Sequence, residues 1–135
     1  MTTTADMMKS MSMPTGMDMT AMQDCIDQCS TCMQACTMCA DQMAGMAEMG
    51  RCAAMCSMCA DVCDTTMRMM LRPMAMDMGA MESMLRACMA MCEACMAECR
   101  MHDDSGGACA MCADACEACD AACSRLLASM SADAS

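Results

Sequence analysis

Cysteine carries the strongest chemical signal in this 135-residue chain. The sequence contains 18 Cys and 29 Met, but a single His and no Phe, Tyr or Trp. Thiolate and thioether sulfur are soft ligands that select Cu(I), Zn(II) or iron–sulfur clusters rather than hard cations. Carboxylates such as Asp61 and Glu93 lie apart from the cysteines in the helical repeat, so paired acid–base catalysis finds no support. The composition therefore indicates soft-metal chemistry.

The cysteines form four groups, and within each group steps of three and four residues alternate strictly. This spacing averages about 3.5 residues, which is the repeat of the inward-facing positions in a left-handed helical bundle. Each group is therefore predicted to be the inward-facing seam of one helix. The four groups are Cys25, Cys29, Cys32, Cys36, Cys39; Cys52, Cys56, Cys59, Cys63; Cys88, Cys92, Cys95, Cys99; and Cys109, Cys112, Cys116, Cys119, Cys123.

Capping and helix-breaking residues separate these seams into four helices of about 24 residues each. Thr15 with Asp18 has the spacing of a capping box, with Asp in place of Glu, at the start of the first helix, and Asp77 is predicted to cap the third. Pro73 stops the second helix. Gly45 with Gly50 marks the first turn, and Asp104 or Ser105 is predicted to cap the fourth helix. Basic residues close the helices at Arg68, Arg72, Arg100 and Arg125.

Short connections make successive helices antiparallel, so the predicted fold is all-α, an antiparallel up-down-up-down four-helix bundle with a Cys-lined core. Residues 15–130 are predicted to form the bundle. Residues 1–14 are predicted to be a Met-rich N-terminal tail, and 131–135 a C-terminal tail. An ordinary aliphatic core is excluded, because the larger aliphatic residues are only Ile26, Val62, Leu71, Leu85, Leu126 and Leu127.

Charge excludes several classes of partner. The formal net charge is −11, with only 7 Lys and Arg, which argues against nucleic acid and against an anionic membrane surface. No segment approaches the roughly 20 apolar residues that span a bilayer, and the N-terminus lacks the features of a secretory signal. We therefore expect a cytoplasmic protein, where abundant cysteines are metal ligands more often than disulfides.

Charge balance also discriminates among soft metals. At four thiolates per Zn(II), about nine positive charges would face 18 thiolates in a dry core, and the remaining charge would be costly to bury. A monovalent ion that shares bridging thiolates approaches one ion per sulfur and brings the core close to neutrality. Cu(I) is the predicted cargo, with several ions per chain. The alternative is an iron–sulfur or zinc-binding Cys-rich protein, although no cysteine precedes a proline as in ferredoxin runs.

Two other hypotheses compete with metal storage. Free cysteine can act as a small buried hydrophobe, but Leu or Ile would stabilise a core more at each such position. An enzyme acting through reactive cysteines would set one or two thiols apart from the rest, and the repeat singles out none. We therefore expect that the protein is not an enzyme.

Repeated C-x3-C-x2-C motifs on four helices, with methionines at the helix ends, resemble the cytosolic copper storage proteins of bacteria. The resemblance covers about residues 17 to 130. It implies a four-helix bundle that holds many Cu(I) ions on inward cysteines, and often a tetramer. It assigns all 18 cysteines as metal ligands, with the C-x3-C pairs as two-coordinate sites within one helix. Only Cys39 and Cys109 lie outside such pairs.

The ends of the bundle are predicted to differ. One end collects Met43, Met46, Met49, His102 and Cys109, and the other collects Met22, Met70, Met81, Leu85, Leu126 and Met130. Imidazole and thioether hold Cu(I) transiently, so the first end is the predicted entrance, with Met43, Met46 and His102 as metal ligands. Structural roles also suit these residues, since a histidine interacts favourably with the dipole at a helix C-terminus and methionines fill cores.

Overall fold

The computed structural model describes residues 2–10, 17–102 and 107–134, and in this part of the chain all regular structure is helical. Four long helices follow one short helix. Their bounds are α1 Thr4–Lys9, α2 Met19–Ala44, α3 Gly50–Met70, α4 Met78–Arg100 and α5 Gly107–Ala134, with a 3₁₀ turn at Pro73–Ala75 between α3 and α4.

The helix boundaries follow from the capping residues. Asp18 accepts a hydrogen bond from the N–H of Ala21 at 3.0 Å, and Asp77 accepts one from the N–H of Ala80 at 2.8 Å. Such bonds satisfy backbone donors that have no partner inside the helix. The Asp77 cap, the Gly45 to Gly50 turn and the end of α3 before Pro73 are confirmed, whereas Asp18 is itself the N-cap of α2 and not the third residue of a capping box. The predicted caps Thr15, Asp104 and Ser105 lie outside the described residues.

Sulfur contacts give the relative direction of the helices. Between α2 and α5, contacts run from Cys25 with Cys123 to Cys36 with Cys112, so the numbers rise on one helix as they fall on the other. The α3 and α4 seams pair in the same opposed sense. Both α2 and α4 pack against α3 and α5. The predicted up-down-up-down bundle is confirmed.

The fourth long helix differs from the prediction. The sequence places Arg125 in its last turn, but α5 continues to Ala134, so that assignment is wrong. Leu126 and Leu127 follow Arg125 directly, and no Gly or Pro occurs between them and Ala134, so nothing there stops the helix. Arg125 instead pairs with Asp24, its Nη2 lying 2.6 Å from Oδ2, and so joins α5 to α2.

A short helix lies inside the segment predicted to be a tail. Thr3 and Asp6 form a reciprocal capping box at the start of α1. Met8 of this helix is buried and lines a hollow with Met70 and Pro73. The division into tail, bundle and tail remains a prediction. Among the described residues, none of the helices combines the length and apolar character that crossing a bilayer requires.

Candidate metal centre

All 18 cysteine side chains turn into the bundle, and each is at most 1 % exposed. This follows from the seam spacing, since positions that recur about every 3.5 residues stay on the inward face of a supercoiled helix. Every cysteine is a free thiol. The shortest Sγ–Sγ contact, 3.5 Å between Cys36 and Cys112, is far longer than the roughly 2.05 Å of a disulfide bond.

The thiols of α2 lie close to those of α5 along the length of the two helices. Cys25 and Cys123 approach to 3.6 Å, and so do Cys29 and Cys119. Within α2 the C-x3-C pair Cys32 and Cys36 stands at 3.9 Å. Cys32 lies 3.8 Å from Cys116 and Cys36 lies 3.5 Å from Cys112, so each of these two thiols is closer to α5 than to its partner in the motif.

Contacts through the middle join the two halves of the bundle. Cys56 on α3 lies 3.7 Å from Cys99 on α4 and 3.8 Å from Cys112 on α5. Cys63 lies 3.8 Å from Cys92 and 4.0 Å from Cys119. Because α3 and α5 touch across the core, the four seams form one connected column of sulfur.

Sets of four thiols converge along this column with all Sγ atoms of a set within 4.8 Å of one another. Neighbouring sets share members: Cys32 and Cys59 belong to two sets, and Cys36 and Cys116 also recur. Shared thiolates can bridge adjacent soft ions, so the column suits a chain of linked metal sites. Five such sets are Cys29, Cys88, Cys119, Cys123; Cys32, Cys36, Cys59, Cys116; Cys32, Cys59, Cys63, Cys92; Cys36, Cys95, Cys112, Cys116; and Cys39, Cys56, Cys99, Cys112.

The electrostatics of the column differ from place to place. Burial raises the pKa of the Cys39 thiol to about 12, and burial also raises the pKa of Cys109. Hydrogen bonds from Cys123 and Cys29 lower the pKa of Cys25 to about 5, because they favour its thiolate. The thiols cannot all ionise together in a dry core, so a soft cation must displace protons as it binds.

The two ends differ as the sequence indicates. At the His102 end, defined by Met43, Met46, Met49, His102 and Cys109, the Cys109 thiol donates to the thioether Sδ of Met43 at 3.6 Å. Met43 and Met49 are buried, whereas Met46 is 38 % exposed and the His102 ring is partly exposed. Sulfur atoms therefore continue from the column toward solvent at this end.

The opposite end is closed. We call it the Leu126 end, and its predicted residues Met22, Met70, Met81, Leu85, Leu126 and Met130 are all buried. Thr66, four residues before Met70 in α3, is also buried, and its hydroxyl donates to the carbonyl of Val62 at 2.8 Å. This end offers no imidazole or carboxylate among these residues.

Sequence reasoning missed Glu98, a buried carboxylate at the His102 end. Its Oε1 lies 3.7 Å from Nε2 of His102, and its Oε2 lies 3.6 Å from Nε of Arg51. The available signal was the spacing of four residues between Glu98 and His102, which places both on one face of a helix. The off-seam carboxylates Asp61 and Glu93 are exposed, in agreement with the sequence.

A four-helix bundle filled by a connected column of free thiols defines a class of protein that holds soft metal ions. The chain belongs to the copper storage protein family, whose sequence model matches residues 18–128. The family predicted from the cysteine repeat is therefore confirmed. A comparison with curated protein sequences gave no match.

Solved structures of the copper storage protein Ccsp from Streptomyces lividans are similar to this chain. The form loaded with 10 copper equivalents is 36 % identical, with a TM-score of 0.89 over 93 % of this chain and 98 % of that chain. A histidine-to-alanine variant is 38 % identical, with a TM-score of 0.82 over 85 % and 98 %. A five-copper form, described as a cytosolic copper storage protein, is 38 % identical, with a TM-score of 0.78 over 81 % and 93 %.

Proposed function

We propose that this protein stores copper as Cu(I), with many ions per chain held by thiolates inside the bundle. The observation that carries the proposal is the column of four-thiol sets that share members and run through a core in which every cysteine is buried. The copper-loaded relatives support the choice of metal. The cytosolic relative supports a cytosolic location, where thiols remain reduced.

All 18 cysteines act as ligands in this proposal. A thiolate core filled with monovalent ions is close to neutral, whereas Zn(II) at four thiolates per ion would leave about half of the negative charge uncompensated. The C-x3-C pairs can supply two-coordinate sites within a helix, and the contacts between helices allow the same sulfur to bridge to a second ion. Capacity near the cysteine count follows.

Copper enters at the His102 end, where Met43, Met46 and His102 act as transient ligands. Met46 is accessible to solvent, and Met43 contacts Cys109 at the top of the column. Thioether and imidazole bind Cu(I) without the proton release that thiols require, so they can pass the ion inward. Replacing these three residues is expected to slow uptake and to leave capacity intact.

The protein is a store rather than an enzyme, and it assembles as a homo-oligomer. The thiols form one extended array in which no single cysteine is isolated as a nucleophile. A tetramer is the expected assembly from the family resemblance. Light scattering of the purified protein measures the mass in solution, and a monomer at all concentrations would contradict the assembly.

Anaerobic Cu(I) titration against a competing chelator, with metal counted per chain, tests the storage function. We expect saturation near the number of cysteines, with Ag(I) behaving as a mimic. Saturation at one or two ions contradicts storage. Visible absorption of iron–sulfur clusters after anaerobic purification, or a zinc-saturated protein that excludes Cu(I), would establish the alternative.

A further inference from the structure

Glu98 is buried at a position where a carboxylate is unfavourable. It is only 5 % exposed and lies in the last turn of α4. Burial removes water from the charge, and the C-terminal end of a helix carries the negative end of the helix dipole. Helix stability and packing therefore both disfavour a glutamate here, and its partners must explain its presence.

Those partners are a histidine and an arginine from two different helical segments. Oε1 faces Nε2 of His102 at 3.7 Å, directly after α4, and Oε2 faces Nε of Arg51 at 3.6 Å in the first turn of α3. Arg51 is 77 % exposed, so water screens its pair with Glu98 and the contribution to stability is small. His102 follows the α4 seam directly, and its backbone N–H donates to the carbonyl of Cys99 at 3.0 Å.

Histidines that bind metals usually donate the N–H of one ring nitrogen to a carboxylate, which fixes the ring and leaves the other nitrogen for the ion. Oε1 of Glu98 lies 3.7 Å from Nε2 of His102, beyond hydrogen-bond distance, so the carboxylate is placed to accept that N–H once the ring closes on an ion. We propose that Glu98 is a positioning residue, which holds the Nε2 side of His102 and so presents Nδ1 as the nitrogen that receives incoming Cu(I). This inference rests on the proposed entry of copper at the His102 end.

Kinetics of Cu(I) uptake under anaerobic conditions test the coupling between the two residues. Glu98→Gln is expected to slow uptake about tenfold, as outer-shell substitutions at metal sites commonly do. In a His102→Gln background the same substitution is expected to have no further effect. Glu117→Gln is the matched control, because it also removes one carboxylate from an ion pair, that with Arg100, at an exposed site.

Arg51→Gln distinguishes a positioning role of Glu98 from a role in which Glu98 only joins α4 to α3 through its ion pair with Arg51. It removes the arginine pair and leaves the contact of Glu98 with His102, so uptake is expected to stay near the wild-type rate. Equal slowing by Arg51→Gln and Glu98→Gln, or additive effects of Glu98→Gln and His102→Gln, would overturn the proposal. An unchanged uptake rate in Glu98→Gln would also overturn it.

The wild-type protein offers a test that does not depend on the folding of variants. The chain has a single His, so its imidazole nitrogens give one pair of ¹⁵N resonances. On Cu(I) addition we expect the Nδ1 resonance to shift while Nε2 keeps its proton. Metal bound to Nε2, or no change at either nitrogen, would overturn the positioning role. Capacity is counted in the same samples, so loss of storage itself is distinguished from loss of positioning.

Discussion

The two ends of the bundle are built on the same four helices but have different chemistry. At the Leu126 end, Leu85, Leu126 and methionines from several helices are enclosed. At the His102 end, a partly exposed imidazole, an exposed thioether and a buried carboxylate surround the last thiols of the column. One end is closed by hydrophobic side chains, and the other keeps an imidazole and a thioether within reach of solvent.

The starts of the helices reinforce this difference. Both helices that begin at the Leu126 end, α2 and α4, have aspartate caps, whereas α3 begins at the His102 end after Met49 without a side-chain cap. An uncapped start leaves backbone N–H groups to water. The closed end therefore has the better-capped helix starts, and we expect the His102 end to be the looser of the two.

Metal loading should have the largest effect on the stability of the bundle. It should also reduce the difference in stability between the two ends. Cysteine buries little apolar surface, so metal ions that bridge the seams supply contacts between helices that the thiols alone do not make. A single site saturated at about 1,000 times its Kd adds about 4 kcal/mol, and several sites add more. We expect the Tm to rise by more than about 10 °C in anaerobic calorimetry. Equal melting with and without Cu(I) would contradict a structural role of the ions.

Leu126→Ala should weaken the closed end without changing how copper enters. Removal of a buried leucine side chain costs about 2–5 kcal/mol, because it loses apolar transfer energy and leaves a cavity. The free energy of unfolding from denaturant titration measures this loss. The rate of Cu(I) uptake should stay at the wild-type value. Faster uptake would show that Leu126 blocks a second entrance, and the assignment of the two ends would then fail.

The dependence of stability on pH should also differ between thiols at the two ends of the column. The folded pKa of Cys39, near the His102 end, is raised to about 12 by burial, while an unfolded thiol titrates near 8.5. The unfolded chain therefore loses that proton first, and the metal-free bundle loses stability as pH rises from about 8.5 to 12, with a slope of up to about 1.4 kcal/mol per pH unit. Cys39→Ala should flatten this alkaline loss in denaturant titrations.

Cys25, near the Leu126 end, should have the opposite dependence. Its folded pKa is lowered to about 5 by hydrogen bonds from Cys123 and Cys29. Its contribution is present above the unfolded pKa of about 8.5 and is lost as pH falls toward 5. Cys25→Ala should therefore flatten the acid side of the stability profile. If Cys39→Ala and Cys25→Ala gave the same dependence of unfolding free energy on pH, the thiols at the two ends would not differ in pKa, and the contrast would fail.

The repeat of the cysteines predicted most of the fold, because every cysteine sits on a seam and no aliphatic residue competes for those positions. Helix directions followed from the short turns at Gly45 and Pro73. The partners across the core could not be predicted from spacing, since which thiols share a set, such as Cys32 with Cys116, depends on the axial offset between helices. That offset is decided by packing.

Two features of the structure lay beyond the periodicity. Glu98 is buried because Arg51 and His102 approach it from outside its own turn, and a local pattern carries no information about Arg51. Met8 is buried because α1 returns to the bundle, although the Thr3 and Asp6 spacing was a visible capping signal. Both cases depend on tertiary contacts between distant parts of the chain.

Two buried methionines provide a matched comparison of the ends by uptake. Met43 at the His102 end and Met22 at the Leu126 end are both fully enclosed, and the thioether of Met43 accepts a hydrogen bond from Cys109 at 3.6 Å. Replacement by leucine preserves volume and costs less than about 1.5 kcal/mol. Met43→Leu should slow Cu(I) uptake about tenfold, equivalent to about 1.4 kcal/mol in the barrier, and Met22→Leu should not. Equal uptake rates in the two variants would show that the thioether of Met43 does not take part in copper entry.

The smallest expected effect concerns the caps. Asp18→Ala removes the acceptor for the N–H of Ala21, and loss of such a cap costs about 1 kcal/mol. Amide hydrogen exchange in the metal-free protein should then speed up in the first turn of α2 and approach the rate in the first turn of α3, which has no side-chain cap. Asp61→Ala, an exposed change away from any helix start, should leave both turns unaffected. If the first turn of α3 already exchanges as slowly as that of α2 in the wild type, the His102 end is as rigid as the closed end. The passage of copper would then require side-chain motion alone.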